Sequence, residues 1–490
     1  MNSSFAARLC RRNHSEVLDS PTEWCPPNGP ARGGIPWSRV AYDDQMRRRD
    51  LLAGAALPLL AQSPARPNVL VILTDDQGYG DLGANGAADV KTPNLDRLAR
   101  EGARFTDWHS SSPVCSPSRA SVLTGQYPQH CGVPQILASK PTFDVPGLKA
   151  GERTLASELK KVGYRTGAIG KWHLGSAAHS RPRAQGFDEF FGFYSGWTDY
   201  YSHRYYSLGG TPVFHDLWRN EQEVFEDTTY QTEMLAREAR AFVAKPSAQP
   251  FFLYLTFGAP HYPMMAPPQY LERFPATMDR DRRMHLAMIA AVDDAIGSIT
   301  QTLEQRGLAN TLIFFQSDNG ATREERADHQ ARPYRGGSNA KWRAYKGSLF
   351  EGGHRVPALM RWPDKIPAGR VVDAPCMAMD LMPTVLNWVG APAVPQVDGI
   401  ALGDTIVKGQ APPSRTLYWD YAGQRAVRRD HWKLIDQPNE GLGTPQLKEQ
   451  WLVDLREDPS EQRNRIADAP EVAKQMQAEL ARWPYGAKLP

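Results

Sequence analysis

Short apolar runs alternate with amphipathic stretches along most of this chain. Asn68–Thr74 is apolar at nearly every position and partly β-branched, the pattern of a central strand covered on both faces. It stops at Asp75-Asp76. Thr92-Pro93-Asn94 then opens a helix that places Leu95 and Leu98 on one face, and Ser118–Leu123 reads as a further helix start. Thr154 caps a helix carrying Leu155, Leu159 and Val162, and Gly163 closes it. The strand Arg165–Ile169 follows and runs into Gly170-Lys171-Trp172-His173. Phe251–Phe257 is another buried strand, ending at Ala259-Pro260-His261. Residues 284–303 space Met288, Val292, Ile296, Ile299 and Leu303 by three or four, as a helix does. Thr311–Phe315 is a last apolar strand, ending at Ser317-Asp318-Asn319-Gly320.

This alternation predicts an α/β catalytic domain over residues 66–405, with a mostly parallel central sheet flanked by helices. In such sheets ligands gather beyond the carboxyl ends of the strands, and four of the expected strands end in polar residues suited to chemistry. Past residue 405 the texture changes. Arg415–Asp420, Gln424–Val427, Lys433–Asp436 and Trp451–Leu455 are short strands separated by turns, and Glu471–Trp483 is an amphipathic helix. They predict a small antiparallel sheet with one covering helix over residues 406–490.

The N-terminus departs from this pattern. Met46-Arg47-Arg48-Arg49-Asp50-Leu51-Leu52, followed by the apolar stretch Ala53–Ala61, looks like a twin-arginine export signal near residues 46–62. Residues 1–65 are therefore expected to be an extension and signal segment, with Met1 and Met46 both open as the true start. The apolar run is too short to span a bilayer. The expectation is an exported protein, periplasmic or secreted, with no membrane span.

Composition narrows the classes further. With 490 residues and 41% apolar content, the chain can bury a large core. Its net charge of +3 draws +2 from the first 65 residues, where eight arginines face six acidic residues. The rest is near neutral, which argues against a nucleic-acid partner, and recognition of an anion must rest on a few placed cations. Of the five cysteines, Cys10 and Cys25 fall in the extension; Cys131 and Cys376 pair only if the fold brings them together.

Asp75, Asp76, Asp318 and Asn319 offer hard oxygen ligands without a companion histidine or cysteine in their motifs, a set suited to calcium or magnesium. Cys115-Ser116-Pro117-Ser118-Arg119, closed by Leu123-Thr124-Gly125, resembles the signature of the type I sulfatases. Gly170-Lys171-Trp172-His173-Leu174-Gly175 resembles that family's second signature. His261 in Pro260-His261-Tyr262-Pro263 and Lys346 in Tyr345-Lys346-Gly347-Ser348 match two further family positions, and Ser195 in Tyr194-Ser195-Gly196-Trp197 matches a serine near the reacting centre. The ordered motifs cover roughly residues 66–460, nearest in texture to arylsulfatase A and N-acetylgalactosamine-6-sulfatase.

The resemblance implies an alkaline-phosphatase-like fold and a sulfuric ester hydrolase. It implies that Cys115 is converted by a maturation enzyme to formylglycine, whose hydrated aldehyde carries the attacking hydroxyl. It implies a calcium ion held by Asp75, Asp76, Asp318, Asn319 and residue 115. Arg119 would contact the hydrate, and Lys171, His261, Lys346 and Ser195 the substrate. Asp318 or a neighbouring carboxylate would take the first proton, His261 with Lys346 would protonate the leaving oxygen, and His173 would take the second proton. The expected partner is a sulfated small molecule or glycan. Competing readings are a phosphodiesterase or phosphonate monoester hydrolase of the same fold, and an exported carbohydrate-binding relative without turnover. A cysteine phosphatase fits poorly, because its loop wraps phosphate with backbone N–H groups and Pro117 removes one. The ten aromatics from Phe187 to Tyr206 either line a cleft or fill the core.

Overall fold

A ten-stranded mixed sheet runs through the computed structural model, which describes residues 66–206, 211–308, 310–325 and 332–483. The expected export signal, Cys10 and Cys25 lie outside the described residues. In chain order the sheet contains β1 (Asn68–Thr74), β2 (Ala103–Phe105), β3 (Arg165–Lys171), β4 (Glu189–Phe193), β5 (Trp218–Arg219), β6 (Gln222–Glu223), β7 (Phe251–Thr256), β8 (Thr311–Ser317), β9 (Ala358–Arg361) and β10 (Arg370–Val372). Their order in space is β10-β2-β9-β8-β1-β7-β3-β4-β5-β6. From β8 to β4 every neighbouring pair is parallel. The flanks turn antiparallel at β8/β9 and at β4/β5. Of the parallel centre, β1, β3, β7 and β8 were legible in the sequence, since strands buried on both faces need no polar side, whereas β4 lies in the aromatic stretch and was not read as a strand.

β1 shows that burial directly. Val69, Val71 and Leu73 enter one core, Leu70 and Ile72 the other, and all five are fully buried. One face is covered by α1 (Pro93–Glu101), and the other by α2 (Cys115–Thr124) and α3 (Leu155–Lys161), whose Thr154 and Ser157 form a reciprocal cap. The first face also packs α4 (Gln231–Ala244) and α5 (Arg280–Gln305). Helix α4 has helically spaced Met234, Leu235, Ala239, Phe242 and Val243, but Tyr230 at its start makes no side-chain cap, so it lacks a start signal. On the second face sits α6 (Leu381–Trp388).

The C-terminal sheet is β11 (Thr416–Tyr421), β12 (Gln424–Arg429), β13 (Trp432–Asp436) and β14 (Gln450–Asp454), antiparallel throughout. Helix α7 (Pro470–Ala481) covers one face, where Ala473, Met476 and Leu480 meet Val427, Leu434 and Leu452. The other face lays Leu417, Trp419 and Ile435 against Val114, Leu349, Phe350 and Met377. Lys433 crosses that seam, fully buried, and donates to Glu351 at 2.8 Å and Glu461 at 3.1 Å. Cys131 and Cys376 are free, buried thiols. No helix among the described residues is long and apolar enough to cross a membrane.

Candidate active site

The parallel register brings the carboxyl ends of β8, β1, β7 and β3 to one edge of the sheet. Asp75 and Asp76 follow β1, Asp318 and Asn319 follow β8, His261 lies in the loop after β7, and Lys171 and His173 end β3. Asp76 and His173 have left-handed backbones, with φ of 63° and 53°. Such conformations are costly for residues other than glycine and gather at functional sites. Gly196 lets the chain pass His173, since a Cβ there would lie 2.8 Å from the imidazole.

Cys115 is the first residue of α2, one residue past an N-cap, Val114, that makes no side-chain cap. The free N–H groups of that first turn favour negative charge at residue 115. Its Sγ is 3.5 Å from Asp75 Oδ1. Burial, followed by the charge of Asp75, pushes the thiol well above its ordinary pKa. It is therefore a protonated thiol, a poor nucleophile as it stands.

Around it stand three fully buried carboxylates. Arg119 grips Asp318 with its Nε at 2.9 Å and a terminal nitrogen at 2.7 Å, and approaches Asp75 at 3.6 Å. Lys171 is paired with Asp75. Lys346 Nζ lies 2.8 Å from Asp76 Oδ1 and 3.5 Å from Glu324 Oε2. Burial opposes ionisation of Asp75, but Lys171, His261, Arg119 and Lys346 together hold its carboxyl below the usual range. Asp76 is pushed up to about 7 by burial and by Asp75 and Asp318, despite Lys346. Asp318 is raised by burial and by Asp75. Four carboxylates, including Glu324, thus face three permanent cations within one buried cluster.

Burial biases the two histidines toward the neutral form. His261 Nδ1 donates to the Tyr262 carbonyl at 2.7 Å, which leaves the Nε2 lone pair 3.8 Å from Asp76 Oδ2. Its pKa falls well below the ordinary value through burial, despite the opposing charge of Asp75. His173 Nε2 donates to the Leu137 carbonyl at 3.0 Å, and its buried Nδ1 has no hydrogen-bond partner. Burial and then Lys171 hold its pKa well below the ordinary value.

The donor set fits a hard divalent cation. The carboxylates are crowded, and Asn319 gives its Nδ2 to Asp76 Oδ1 at 2.7 Å while its buried Oδ1 has no partner. An orphaned carbonyl oxygen beside repelling carboxylates is an arrangement that an oxygen-seeking ion would satisfy. Ligand atoms of Asp75, Asp76, Cys115 and His261 all lie within 4.8 Å of one another.

Every site residue expected from the motifs except Ser195 falls in this cluster or against it. Ser195 lies beside His173, but its N–H donates to Asp216 Oδ2 at 2.7 Å, so it belongs to the cleft wall. Glu324 was not anticipated. It sits in the loop beyond Asn319 with no motif around it, and only the return of that loop to Lys346 gives it a place. The aromatic stretch divides. Phe187, Phe190, Phe191, Phe193, Tyr194 and Tyr200 are core, whereas Trp197, Tyr201, Tyr205 and Tyr206 are half-buried. Trp197 packs on Tyr262, Tyr205 and Tyr206 with centroid distances of 5.6, 4.9 and 4.5 Å, and Tyr262 in turn packs on His261 at 3.9 Å.

Comparison with known proteins agrees with this geometry. A family profile described as Sulfatase matches residues 67–391, and one described as N-sulphoglucosamine sulphohydrolase, C-terminal, matches residues 341–484. The chain is 36% identical to N-acetylgalactosamine-6-sulfatase of Mus musculus over 75% of this chain and 72% of that one. It is 34% identical to arylsulfatase G of Rattus norvegicus, covering 76% of each. Among solved structures, Ps i-CgsB in complex with k-i-k-neocarrahexaose superposes with a TM-score of 0.77 at 32% identity, over 86% of this chain and 94% of that chain.

Proposed function

The chain belongs to the sulfatase family, a family of sulfuric ester hydrolases, and on that premise we propose that it removes sulfate from a sulfated carbohydrate using formylglycine at residue 115 and a bound calcium or magnesium ion. The observation that carries this reading is the convergence of Cys115, Asp75, Asp76, Asp318, Asn319, Lys171, Lys346 and His261 at one sheet edge.

Formylglycine, once made from Cys115 by a maturation enzyme, would supply a hydrated aldehyde with an attacking hydroxyl. Asp75, Asp76, Asp318 and Asn319 would hold the cation, which would neutralise sulfate charge. The charge balance supports it: four carboxylates, two of them raised by burial and mutual crowding, outnumber three cations, and a divalent ion would add the positive charge that an anionic ester needs.

The chain's own side chains do the rest. Lys171 and Lys346 present fixed positive charge to the sulfate oxygens, in a dry site where it acts strongly. Arg119 is committed to Asp318 and Asp75, so it orients the carboxylates and the reacting residue on α2. His261 holds the proton for the leaving oxygen at Nε2. Arrival of an anionic ester raises its proton affinity, and the Tyr262 carbonyl keeps Nδ1–H fixed. His173, with a free lone pair at Nδ1, is the base for the second proton.

A carbohydrate is favoured over a small aryl sulfate by the aromatic wall that leads from His261 through Tyr262 to Trp197. Half-buried rings at the leaving-group side suit stacking on a sugar face. The pair Arg47-Arg48 and the apolar stretch after it support export, which would bring the enzyme to polymeric substrates.

The test is mass spectrometry of the peptide containing residue 115, from protein matured in its own host, joined to an assay of sulfate release. Conversion of cysteine to the aldehyde lowers the mass by about 18 Da and creates the precursor of the nucleophile. An unmodified cysteine, or faster turnover of a phosphonate monoester than of any sulfate ester, would overturn the reading.

A further inference from the structure

A second cluster of metal-ligating side chains lies outside the active site, in the excursion between β4 and α4. His203, His215 and Asp227 each offer a ligand atom, and these atoms lie within 4.8 Å of one another. His203 is 1% exposed; a backbone group of Thr229 faces its ring, but neither ring nitrogen makes a hydrogen bond of acceptable geometry. A buried imidazole with two unsatisfied nitrogens is costly unless something else engages it.

His215 is set up in the way metal-binding histidines are. Its Nδ1 lies 2.8 Å from Glu223 Oε1, which fixes the proton on that nitrogen and turns the lone pair of Nε2 inward. Nε2 itself is buried and has no partner. A carboxylate behind an imidazole orients the ring and raises its basicity toward a metal. Asp227 closes the third side. Arg204 holds its carboxylate at 3.2 Å, and the remaining lone pairs of its oxygens stay available.

We propose that His203, His215 and Asp227 bind a zinc ion, with solvent as the fourth ligand at the exposed Asp227 side. Two imidazoles and one carboxylate make a borderline-soft, three-ligand set, which suits zinc and not the hard ions of the active site. The ion staples the antiparallel pair Arg204–Tyr205 and Phe214–His215 to the turn that carries Asp227. On that hairpin Tyr205 stacks on Phe214 at 5.0 Å and on Trp197 at 4.9 Å, so the staple holds the aromatic wall beside His261.

The experiment titrates purified full-length protein with zinc, with calcium in excess to hold the active site, and follows zinc content, X-ray absorption and thermal unfolding. Wild type should bind one more zinc per chain than His215→Gln or His203→Gln, with a nitrogen-rich imidazole absorption signature and a rise in Tm that both variants lack. Glu223→Gln, at an exposed position that keeps the fold, should weaken zinc binding by about 10- to 100-fold. These readouts need no turnover. Equal zinc content and equal Tm response in wild type and His215→Gln, or a sulfur-ligated signature, overturn the proposal.

Discussion

His261 faces Asp76 across 3.8 Å with a bare Nε2, because its Nδ1–H is spent on the carbonyl of Tyr262. The imidazole therefore waits without a proton at Nε2 and must gain one there with the substrate. A residue that protonates the leaving oxygen matters most when that oxygen is a poor leaving group. His261→Ala should lower kcat about 10²- to 10⁴-fold on a sulfated sugar. On a nitrophenyl or nitrocatechol sulfate the loss should be far smaller. Equal losses on both substrates would show that His261 binds sulfate and does not act as the acid.

Trp197 tests the substrate class. It packs on Tyr262, which in turn packs on His261. Trp197→Ala should raise KM for a sulfated oligosaccharide about tenfold, equivalent to about 1.4 kcal/mol, and leave kcat near that of wild type. A small aryl sulfate should be indifferent. Steady-state kinetics on the two substrates checks this, and an equal effect on both would assign the ring to packing alone.

Chelation should separate the cation from the rest of the fold. Asp76 and Asp318 are crowded carboxylates, and Asn319 Oδ1 has no partner. Dialysis against a calcium-selective chelator should abolish sulfate release and lower Tm, and added calcium should restore both. Asp318→Asn should bind calcium at least tenfold more weakly, since one charged ligand is lost. Activity that survives exhaustive chelation would remove the ion from the reaction.

The seam between the large sheet and the C-terminal sheet depends on Lys433. Its ammonium sits between Glu351 and Glu461, all three fully buried. Lys433→Met takes the ammonium from Glu461 and leaves Glu351 with Arg355 alone, at 3.0 Å, and breaking a buried pair in this way costs about 3–5 kcal/mol. Chemical denaturation should show that loss, with kcat per folded molecule unchanged.

The same seam gives a pH dependence. Glu461 is raised to about 7 by burial, opposed by Lys433 and reinforced by the neighbouring charge of Glu351. A carboxyl whose folded pKa exceeds its unfolded value binds its proton more tightly when folded. Its contribution is complete below the ordinary glutamate pKa and is lost as pH rises through about 7. Tm should therefore fall between pH 5 and 8 more steeply in wild type than in Glu461→Gln, measured by scanning calorimetry. Parallel profiles would refute this account of Glu461.

The local sequence determined a good deal. The apolar runs at β1, β3, β7 and β8 marked the parallel centre, since a strand covered on both faces has no polar side to obscure it. The acidic and basic motifs at their ends were legible for the same reason, because polar residues stand out after a buried run. Cap and spacing signals located α3 and α5. Tertiary structure alone decided what those motifs do to one another. Lys171 belongs to Asp75 because parallel register brings the ends of β3 and β1 to one edge, and Lys346 belongs to Asp76 because the loop between β8 and β9 folds back over that edge; no spacing along the chain encodes either pairing. Glu324, Lys433 and the cluster of His203, His215 and Asp227 carried no signal either. Glu324 meets Lys346 through the return of a loop, Lys433 meets Glu351 across the seam between two sheets, and the hairpin and the turn after it bring His203, His215 and Asp227 together; the division of the aromatics between core and cleft was likewise settled by which face of the fold each ring met.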